Sequence, residues 1–310
     1  MSSLVEVSPS VSEALAAGGP VVALESTIIS HGLPRPGNLA AAREFEAILS
    51  SQGVTPATIA LVDGVPKVGL GPEELERIAT DESAVKVSSR DIGIAIARKV
   101  TGGTTVAATS VLAARAGIRV FATGGLGGVH RGAAESFDES ADLTVLSRTP
   151  ITVVSAGVKA ILDIPATLER LETLSVAVVG YRTSRFPAFW LTDSGCDLDW
   201  RADTPGEIAD IMVARAAFGE QSALLVANPL APADQLDPQV FGDALADALA
   251  AAARSGLRGK AVTPFLLDHI QRVTGGASVT VNLTIARGNA SLAGQISKAW
   301  AERTVEPLAG

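Results

Sequence analysis

The sequence has little of several residue types, and each scarcity excludes a class of structure or partner. Cys196 is the single cysteine among 310 residues, which excludes an intramolecular disulfide and a cysteine zinc cluster. A reducing compartment suits such a chain, and we expect a cytoplasmic protein. No run of lysine or arginine exceeds two residues and the formal net charge is -8, so the basic surface typical of nucleic-acid binding is missing.

Signals for export and for membrane insertion are also missing. The N-terminus has neither the basic nor the apolar region of a secretion signal, and no apolar run approaches the roughly 18 residues needed to span a bilayer. We therefore expect no membrane partner. Without export, the glycosylation sequons at Asn282 and Asn289 are either chance matches or residues of a functional site.

Three familiar motifs are incomplete. The glycine-rich segment 123–132 departs from the dinucleotide fingerprint because His130 stands where the last glycine belongs. Gly259 and Lys260 lack the upstream glycine and the following hydroxyl residue of a phosphate loop. The histidines do not form the paired helix motif of zinc hydrolases. The sequence therefore gives little support to NAD binding, nucleotide hydrolysis or zinc-dependent hydrolysis.

The composition and the periodicity indicate an α/β protein. Hydrophobic residues make up 47% of the chain and aromatic residues only 4%, which suits packing by small aliphatic side chains. Short apolar runs alternate with longer helical patterns, as in βαβ units. The strand-like runs are residues 21–24, 59–62, 120–123, 151–154, 176–179 and 223–226. The helical patterns are residues 38–51, 72–79, 91–100, 106–116, 165–174, 205–218, 238–255 and 263–273.

From this pattern we predict a single-domain α/β/α sandwich with a mixed, mostly parallel central sheet. The domain covers residues 1–310, with short flexible ends at about 1–8 and 304–310. In such folds ligands bind where the carboxyl ends of the strands meet loops and helix N-termini. Glu25, Lys86, the turn 104–106 and the glycine-rich segment 123–132 follow apolar runs or precede helices. Glu25 is equally well read as a cap or an ion-pair partner.

Lys159 is the first candidate for chemistry, because it lies among aliphatic residues in a chain with 6 lysines and 19 arginines. An ammonium group shielded from water loses stabilisation of its charged form, so the neutral amine becomes available as a nucleophile. The alternatives are a lysine that extends to the surface and one that pairs with nearby Asp163.

An acidic cluster lies shortly after the glycine-rich segment. Asp138 and Asp142 are four residues apart, so a helical turn would bring both carboxylates to one face, where they repel each other. A divalent cation or a pair of ligand hydroxyl groups would relieve that repulsion. A solvated loop explains the cluster equally well.

Together these segments resemble a known family, pseudouridine-5′-phosphate glycosidase, also called the indigoidine synthase A family. The resemblance runs from about residue 10 to residue 300. The segments that carry it are 23–32 (ALESTIISHG), 86–88 (KVS), 136–143 (SFDESADL), 157–164 (GVKAILDI), 259–267 (GKAVTPFLL) and 274–276 (TGG).

The resemblance implies a metal-dependent lyase that acts as a glycosidase. It converts pseudouridine 5′-phosphate and water reversibly to uracil and ribose 5-phosphate. Lys159 is then the nucleophile that bonds the ring-opened ribose, Glu25 the proton donor and Asp138 the ligand of one divalent metal ion per subunit, usually manganese, although magnesium also suits such a site. The family is typically homotrimeric.

The remaining site residues are also implied by the resemblance. The substrate-binding positions are Lys86, Val106, His130, Ser140, Ala141, Asp142 and Asn282.

Two rival functions stay open: a Schiff-base aldolase or other sugar-phosphate lyase, which would share Lys159, and a non-catalytic protein that binds phosphorylated sugars.

Overall fold

The protein is seen here in a computed structural model that describes residues 4–257 and 262–305. Eleven strands in these ranges form a sheet. They are β1 (Glu6–Val7), β2 (Val21–Leu24), β3 (Thr55–Val62), β4 (Val65–Val68), β5 (Val85–Val87), β6 (Gly102–Thr104), β7 (Val120–Ala122), β8 (Thr152–Ser155), β9 (Ala177–Tyr181), β10 (Arg201–Ala202) and β11 (Leu224–Ala227).

The main part of the sheet is parallel and has the order β3-β2-β7-β8-β11-β9-β10. The long strand β3 joins it to a smaller, mixed part. Its first half pairs with β2 in parallel, whereas its second half pairs with β4 and β6 in antiparallel. Strand β5 continues from β6, and β1 from β4, both in parallel. The sheet is therefore mixed and mostly parallel.

Helices cover the sheet on both faces. They are α1 (Pro9–Ala16), α2 (Gly37–Ser51), α3 (Pro72–Thr80), α4 (Ile92–Ala97), α5 (Val106–Arg115), α6 (Ala133–Ser136), α7 (Ala141–Leu146), α8 (Ile164–Thr173), α9 (Pro205–Phe218), α10 (Pro238–Arg254), α11 (Val262–Val273) and α12 (Ala277–Val305). A single π-helical turn, Ile28–Gly32, precedes α2.

The two faces of the sheet follow from the alternation of side chains along each strand. In β2, Val21 and Ala23 pack in the core that contains α5, whereas Val22 and Leu24 pack in the core that contains α2 and α12. The central strands β2, β7, β8 and β11 are buried on both faces, which explains their continuous apolar runs. The predicted α/β/α sandwich is thus confirmed.

Most element positions agree with the sequence pattern, and the exceptions have local causes. The predicted helix 91–100 is shorter because Ser89–Asp91 form a 3-10 turn before α4. Residues 6 and 7, assigned to a flexible end, pair with β4 as β1. Residues 1–3 and 306–310, and the Gly259 and Lys260 segment, lie outside the described residues.

Helix α12 was not predicted, although it is 29 residues long. Gly288 and Gly294 interrupt its pattern, and glycine lowers helix propensity. A Cβ at Gly294 would lie 2.5 Å from Gln52 Oε1 and 3.2 Å from the Leu49 side chain, so glycine lets α12 approach α2 closely. None of the helices in the described ranges is both long and apolar enough to cross a membrane.

Candidate active site

The site lies at the carboxyl ends of three adjacent parallel strands. Glu25 follows β2, Thr123 follows β7, and the segment that leads to Lys159 follows β8. Because β7 pairs with both β2 and β8 in parallel, these ends meet at one edge of the sheet. The structure therefore brings together Glu25 and Lys159, which are 134 positions apart in the chain.

Glu25 is a buried carboxyl group, with only 9% of its surface exposed. Its side chain accepts a short hydrogen bond from the Thr123 hydroxyl. Burial raises the pKa of Glu25, since a carboxylate loses hydration there, and the positive charges of Lys159 and Lys86 oppose that rise. Burial therefore favours the protonated form of Glu25 more than water does for a free carboxyl group.

Lys159 is held by a local pairing between its own segment and the glycine-rich segment. Its backbone N–H donates to the Leu126 carbonyl at 3.0 Å, and Leu126 N–H donates to the Gly157 carbonyl at 2.9 Å. Gly157 adopts a positive φ of 81°, and a Cβ there would lie 2.7 Å from the Pro187 carbonyl oxygen. Glycine is thus required for the turn that presents Lys159.

The alternative reading of Lys159 as the ion-pair partner of Asp163 is wrong. Asp163 caps α8, where its Oδ1 accepts from Ala166 N–H at 3.1 Å. Among the described residues we find no carboxylate in ion-pair contact with the half-buried Lys159 ammonium group. The positive charge of Lys159 nonetheless acts to lower the pKa of Glu25 and of His130.

Lys86 and His130 complete the charged cluster. Lys86 lies on β5 and its charge acts on both Glu25 and His130. Burial lowers the pKa of His130; the Asp138 carboxylate opposes this effect, while the charges of Lys159 and Lys86 add to it. The charged form of His130 is thus disfavoured, and the two nearby ammonium groups favour an anionic ligand.

The interpretation of Asp138 and Asp142 as a pair on one helical face is wrong. Helix α7 begins at Ala141, so Asp138 lies before it, and Ser140 is the N-cap residue that accepts from Asp142 N–H at 3.2 Å. The buried Asp142 carboxylate instead accepts from Ala107 N–H at 2.9 Å and from Gly127 N–H at 2.8 Å. It ties the glycine-rich segment to the start of α5.

Val106 is the first residue of α5, as the turn 104–106 predicted, and it is buried. Thr105 precedes it as the N-cap residue and accepts from Ala108 N–H at 3.4 Å. Of the first backbone N–H groups of α5, that of Ala108 is thus bonded to Thr105 and that of Ala107 to the Asp142 carboxylate.

Asp138 is the one predicted metal ligand. Its carboxylate is about one-third exposed, and its Oδ2 lies 4.0 Å from His130 Nδ1. No group of three or more histidine, cysteine or carboxylate side chains in the described part of the chain could enclose a metal ion. The donor set thus fits a hard cation that keeps most of its water or substrate ligands, and not a caged metal.

Glycines of the segment 123–132 serve protein packing more than ligand approach. A Cβ at Gly127 would lie 2.2 Å from Ser140 Oγ, and one at Gly128 would lie 2.5 Å from Thr167 Oγ1. At these two positions side chains of the protein occupy the space that the sequence reading left for a ligand.

Asn282 and two residues that the sequence reading did not assign also lie around the site. Asn282 Oδ1 accepts from Trp190 Nε1 at 2.6 Å, so this predicted substrate contact holds a buried tryptophan. Thr123 binds Glu25, and Asn289 Nδ2 donates to the Thr123 carbonyl at 2.7 Å. The sequence signal for Asn289 was a sequon in a chain not expected to be exported.

The chain resembles known proteins over nearly its whole length. The chain matches the family described as "Indigoidine synthase A like protein" over residues 10–299. A protein of Frankia alni named pseudouridine-5′-phosphate glycosidase is 60% identical over 302 residues, which are 97% of this chain and 83% of the relative. One of the same name from Saccharopolyspora erythraea is 58% identical, with 96% and 99% covered.

Two solved structures share the fold. The prealnumycin C-glycosynthase AlnA in complex with ribulose 5-phosphate superposes with a TM-score of 0.92 at 37% identity, covering 99% of this chain and all of the other. An indigoidine synthase A like protein from Thermotoga maritima gives a TM-score of 0.88 at 34% identity, with 97% and 98% covered.

Proposed function

The chain belongs to the indigoidine synthase A like protein family, and from that premise we propose that it cleaves the carbon-carbon glycosidic bond of pseudouridine 5′-phosphate. The products are uracil and ribose 5-phosphate, and the reaction is reversible. Support comes from the two relatives that carry the glycosidase name at 58% and 60% identity. One observation of this chain carries the proposal: the buried carboxyl group of Glu25 lies within the electrostatic reach of Lys159 and Lys86.

The chemistry explains why an amine is needed. In pseudouridine the sugar is joined to a carbon of the base, so the base leaves poorly from the closed ring. The ribose ring opens when the C1′–O4′ bond breaks and O4′ takes a proton, and the Lys159 amine forms a bond to C1′ and loses a proton. The bond from C1′ to the base then breaks: its electrons go to the base carbon, which takes a proton, while the lysine nitrogen forms an iminium with C1′. Water adds to that iminium and releases ribose 5-phosphate and the free amine.

Glu25 suits the role of proton donor in this sequence. A carboxyl group that donates to carbon has to be protonated at the working pH, and burial favours that form of Glu25. The nearby ammonium groups then stabilise the carboxylate that remains after donation, so the proton is not held too tightly. The Thr123 hydroxyl stabilises the same form by hydrogen bonding.

The remaining residues bind the anionic substrate in this proposal. Lys86 supplies a positive charge on the Glu25 side of the site, and Val106, at the start of α5, supplies its backbone N–H. The segment of Ser140, Ala141 and Asp142 contacts the sugar. Burial disfavours the charged form of His130, which offers a hydrogen bond beside both lysines.

A divalent metal ion fits at Asp138, which offers one partly exposed carboxylate beside His130. Manganese or magnesium bound through one carboxylate and water is consistent with that donor set. Such an ion would supply positive charge to the oxygens of the bound sugar phosphate.

We also infer a homotrimer from the family.

Turnover tests the proposal directly. Purified protein incubated with ribose 5-phosphate, uracil and Mn²⁺ should form pseudouridine 5′-phosphate, detected by mass spectrometry. Ribulose 5-phosphate in place of ribose 5-phosphate tests the alternative suggested by the C-glycosynthase, whose structure contains that sugar. Product from neither sugar phosphate would overturn the glycosidase assignment, and a product from ribulose 5-phosphate alone would replace it.

A further inference from the structure

Asn289 lies deep in the fold, on α12, and its side chain is fixed from two directions. It is only 1% exposed. Its Nδ2 donates to the carbonyl of Thr123 at 2.7 Å and, more weakly, to that of Gly124 at 3.4 Å, while its Oδ1 accepts from Asn228 Nδ2 at 2.9 Å. Two carbonyl oxygens on one side and an amide donor on the other leave a single orientation for the amide.

The same amide connects the ends of three strands. Asn228 follows β11 and donates its backbone N–H to the Ser155 carbonyl of β8 at 2.8 Å. Thr123 follows β7 and donates its own N–H to the Val154 carbonyl at 3.0 Å. The Thr123 backbone is therefore held at its N–H by β8 and at its carbonyl by α12.

This fixed backbone sets the position from which the Thr123 hydroxyl donates to the Glu25 carboxyl. Beside that carboxyl is a small cavity of about 20 Å³, lined partly by Ile28, Phe45 and Ala286. A cavity of that size holds about one water molecule, so the carboxyl has space to rotate away if the hydroxyl moves. Burial alone does not hold Glu25 in place.

We propose that Asn289 is a positioning residue for proton transfer: by fixing Thr123 it keeps the Glu25 carboxyl oriented for the reaction. The proposal rests on the function proposed above. Under this proposal α12 contributes to catalysis indirectly: Asn289 acts through Thr123 and does not contact the substrate. A misplacement of a reacting group by about 1 Å is enough to lower a rate by about 100-fold.

Asn289→Ala is the test, with Ser297→Ala as the matched control. Ser297 is a buried residue of α12 that donates to the Val21 carbonyl at 3.0 Å, at the opposite end of β2 from Glu25. Asn289→Ala removes hydrogen bonds to Thr123, Gly124 and Asn228, and Ser297→Ala removes one to Val21, so both should lower Tm, Asn289→Ala by more. Only Asn289→Ala should lower kcat, by about 10- to 100-fold, with KM within twofold of the wild-type value.

The pH profile separates positioning from general destabilisation. Loss of the Thr123 hydrogen bond removes a contact that lowers the pKa of Glu25, so the alkaline limb of kcat should move to higher pH in Asn289→Ala and stay in place in Ser297→Ala. Thr123→Val should show the same shift, and Thr123→Ser, which keeps the hydroxyl, should not. Adding Asn289→Ala to Thr123→Val should cost less than a further twofold, because the two act on one contact.

Wild-type kcat in a folded Asn289→Ala protein, equal losses in Asn289→Ala and Ser297→Ala, or fully additive effects with Thr123→Val would each overturn the proposal. If Asn289→Ala does not fold, Asn228→Ala tests the same chain of hydrogen bonds from its other end. If the wild-type protein shows no turnover, the proposed function fails. The Glu25 titration, followed by the carboxyl ¹³C resonance, then still tests positioning: its midpoint should rise in Asn289→Ala and not in Ser297→Ala.

Discussion

The two edges of the parallel sheet differ in the burial and the pairing of their charged side chains. At the carboxyl edge, Glu25 is buried and Lys86 and Lys159 are half-buried, and Lys159 has no carboxylate in ion-pair contact among the described residues. The small cavity at Glu25, about 20 Å³, would hold only one water molecule. Here the fold keeps charges close together without neutralising each of them.

The amino edge has the larger cavity, about 200 Å³, where β8 and β11 begin. Its charged groups are already satisfied. Arg215 forms an ion pair with Glu220 and donates to the Ser222 carbonyl at 2.9 Å, and Arg119 donates to the Pro150 carbonyl at 3.3 Å. Those contacts occupy the two guanidinium groups at this edge, which are then less available to bind a ligand.

The comparison shows that cavity size does not identify the site in this protein. What marks the carboxyl edge is the cost of keeping a carboxyl group and two ammonium groups partly out of water, a cost that ordinary packing does not require. Substitutions at the carboxyl edge should therefore lower activity and not stability. Substitutions at the amino edge should lower stability and not activity.

Lys159→Ala should have the largest effect. In the proposed mechanism this removes the nucleophile, so kcat should fall on the order of 10⁴-fold or more while the fold is kept. Lys298→Ala, which removes an exposed lysine of α12, is the control and should retain wild-type kcat. Steady-state kinetics with pseudouridine 5′-phosphate measures both, and full activity in Lys159→Ala would exclude the nucleophile role.

Glu25→Gln should lower kcat by about 10²- to 10⁴-fold, because the amide has the shape of the acid but no proton to give. In the wild-type enzyme kcat should fall as the pH rises through the raised pKa of Glu25, since the donor is lost there. The residual activity of Glu25→Gln should lack this alkaline limb. A limb of the same position in both proteins would assign the titration to another group.

Arg215→Met should produce the reverse result at the amino edge. The substitution leaves the Ser222 and Ala223 carbonyls without their guanidinium donor and should lower the free energy of unfolding by about 1–3 kcal/mol. kcat should stay within twofold of the wild-type value. Urea unfolding and kinetics at saturating substrate check the two expectations, and a large loss of kcat in a stable variant would place function at this edge.

Glu25→Gln should also stabilise the protein at neutral pH, by about 0.5–2 kcal/mol, as is common when a strained functional group is removed. The folded protein binds the Glu25 proton more tightly than the unfolded chain does, so the stability from that proton is complete below pH 4.5 and is lost as the pH rises through the folded pKa. The gain should therefore shrink as the pH falls towards 4.5. Urea unfolding at several pH values measures it, and a destabilised variant at pH 7 would contradict the sign.

Much of the candidate site can be predicted from the sequence, because the apolar runs indicate where the strands end. Apolar runs locate β2 and β8, and Glu25 and Lys159 follow them, so their convergence at one edge follows from parallel pairing. Asp142 shows the limit of that reasoning. Its spacing from Asp138 suggested a shared cation, but its carboxylate meets the N–H groups of Ala107 and Gly127, which are remote in sequence.

Helix α12 and Asn289 were missed for a related reason. The local pattern indicates helix propensity, which the glycines of α12 lower. The close packing that Gly294 permits involves Leu49 and Gln52, more than 200 positions away. The hydrogen bond from Asn289 to Thr123 spans 166 positions and has no local signature. Tertiary contacts of this kind decide which polar residue supports the site.

Borohydride trapping with ribose 5-phosphate tests the central claim most directly, since it asks whether the carboxyl edge forms a covalent bond through its lysine. Reduction of an iminium should add the sugar phosphate irreversibly to one lysine per chain, and peptide mapping should place the added mass on Lys159. An active enzyme that gives no adduct, or an adduct on another lysine, would contradict the account.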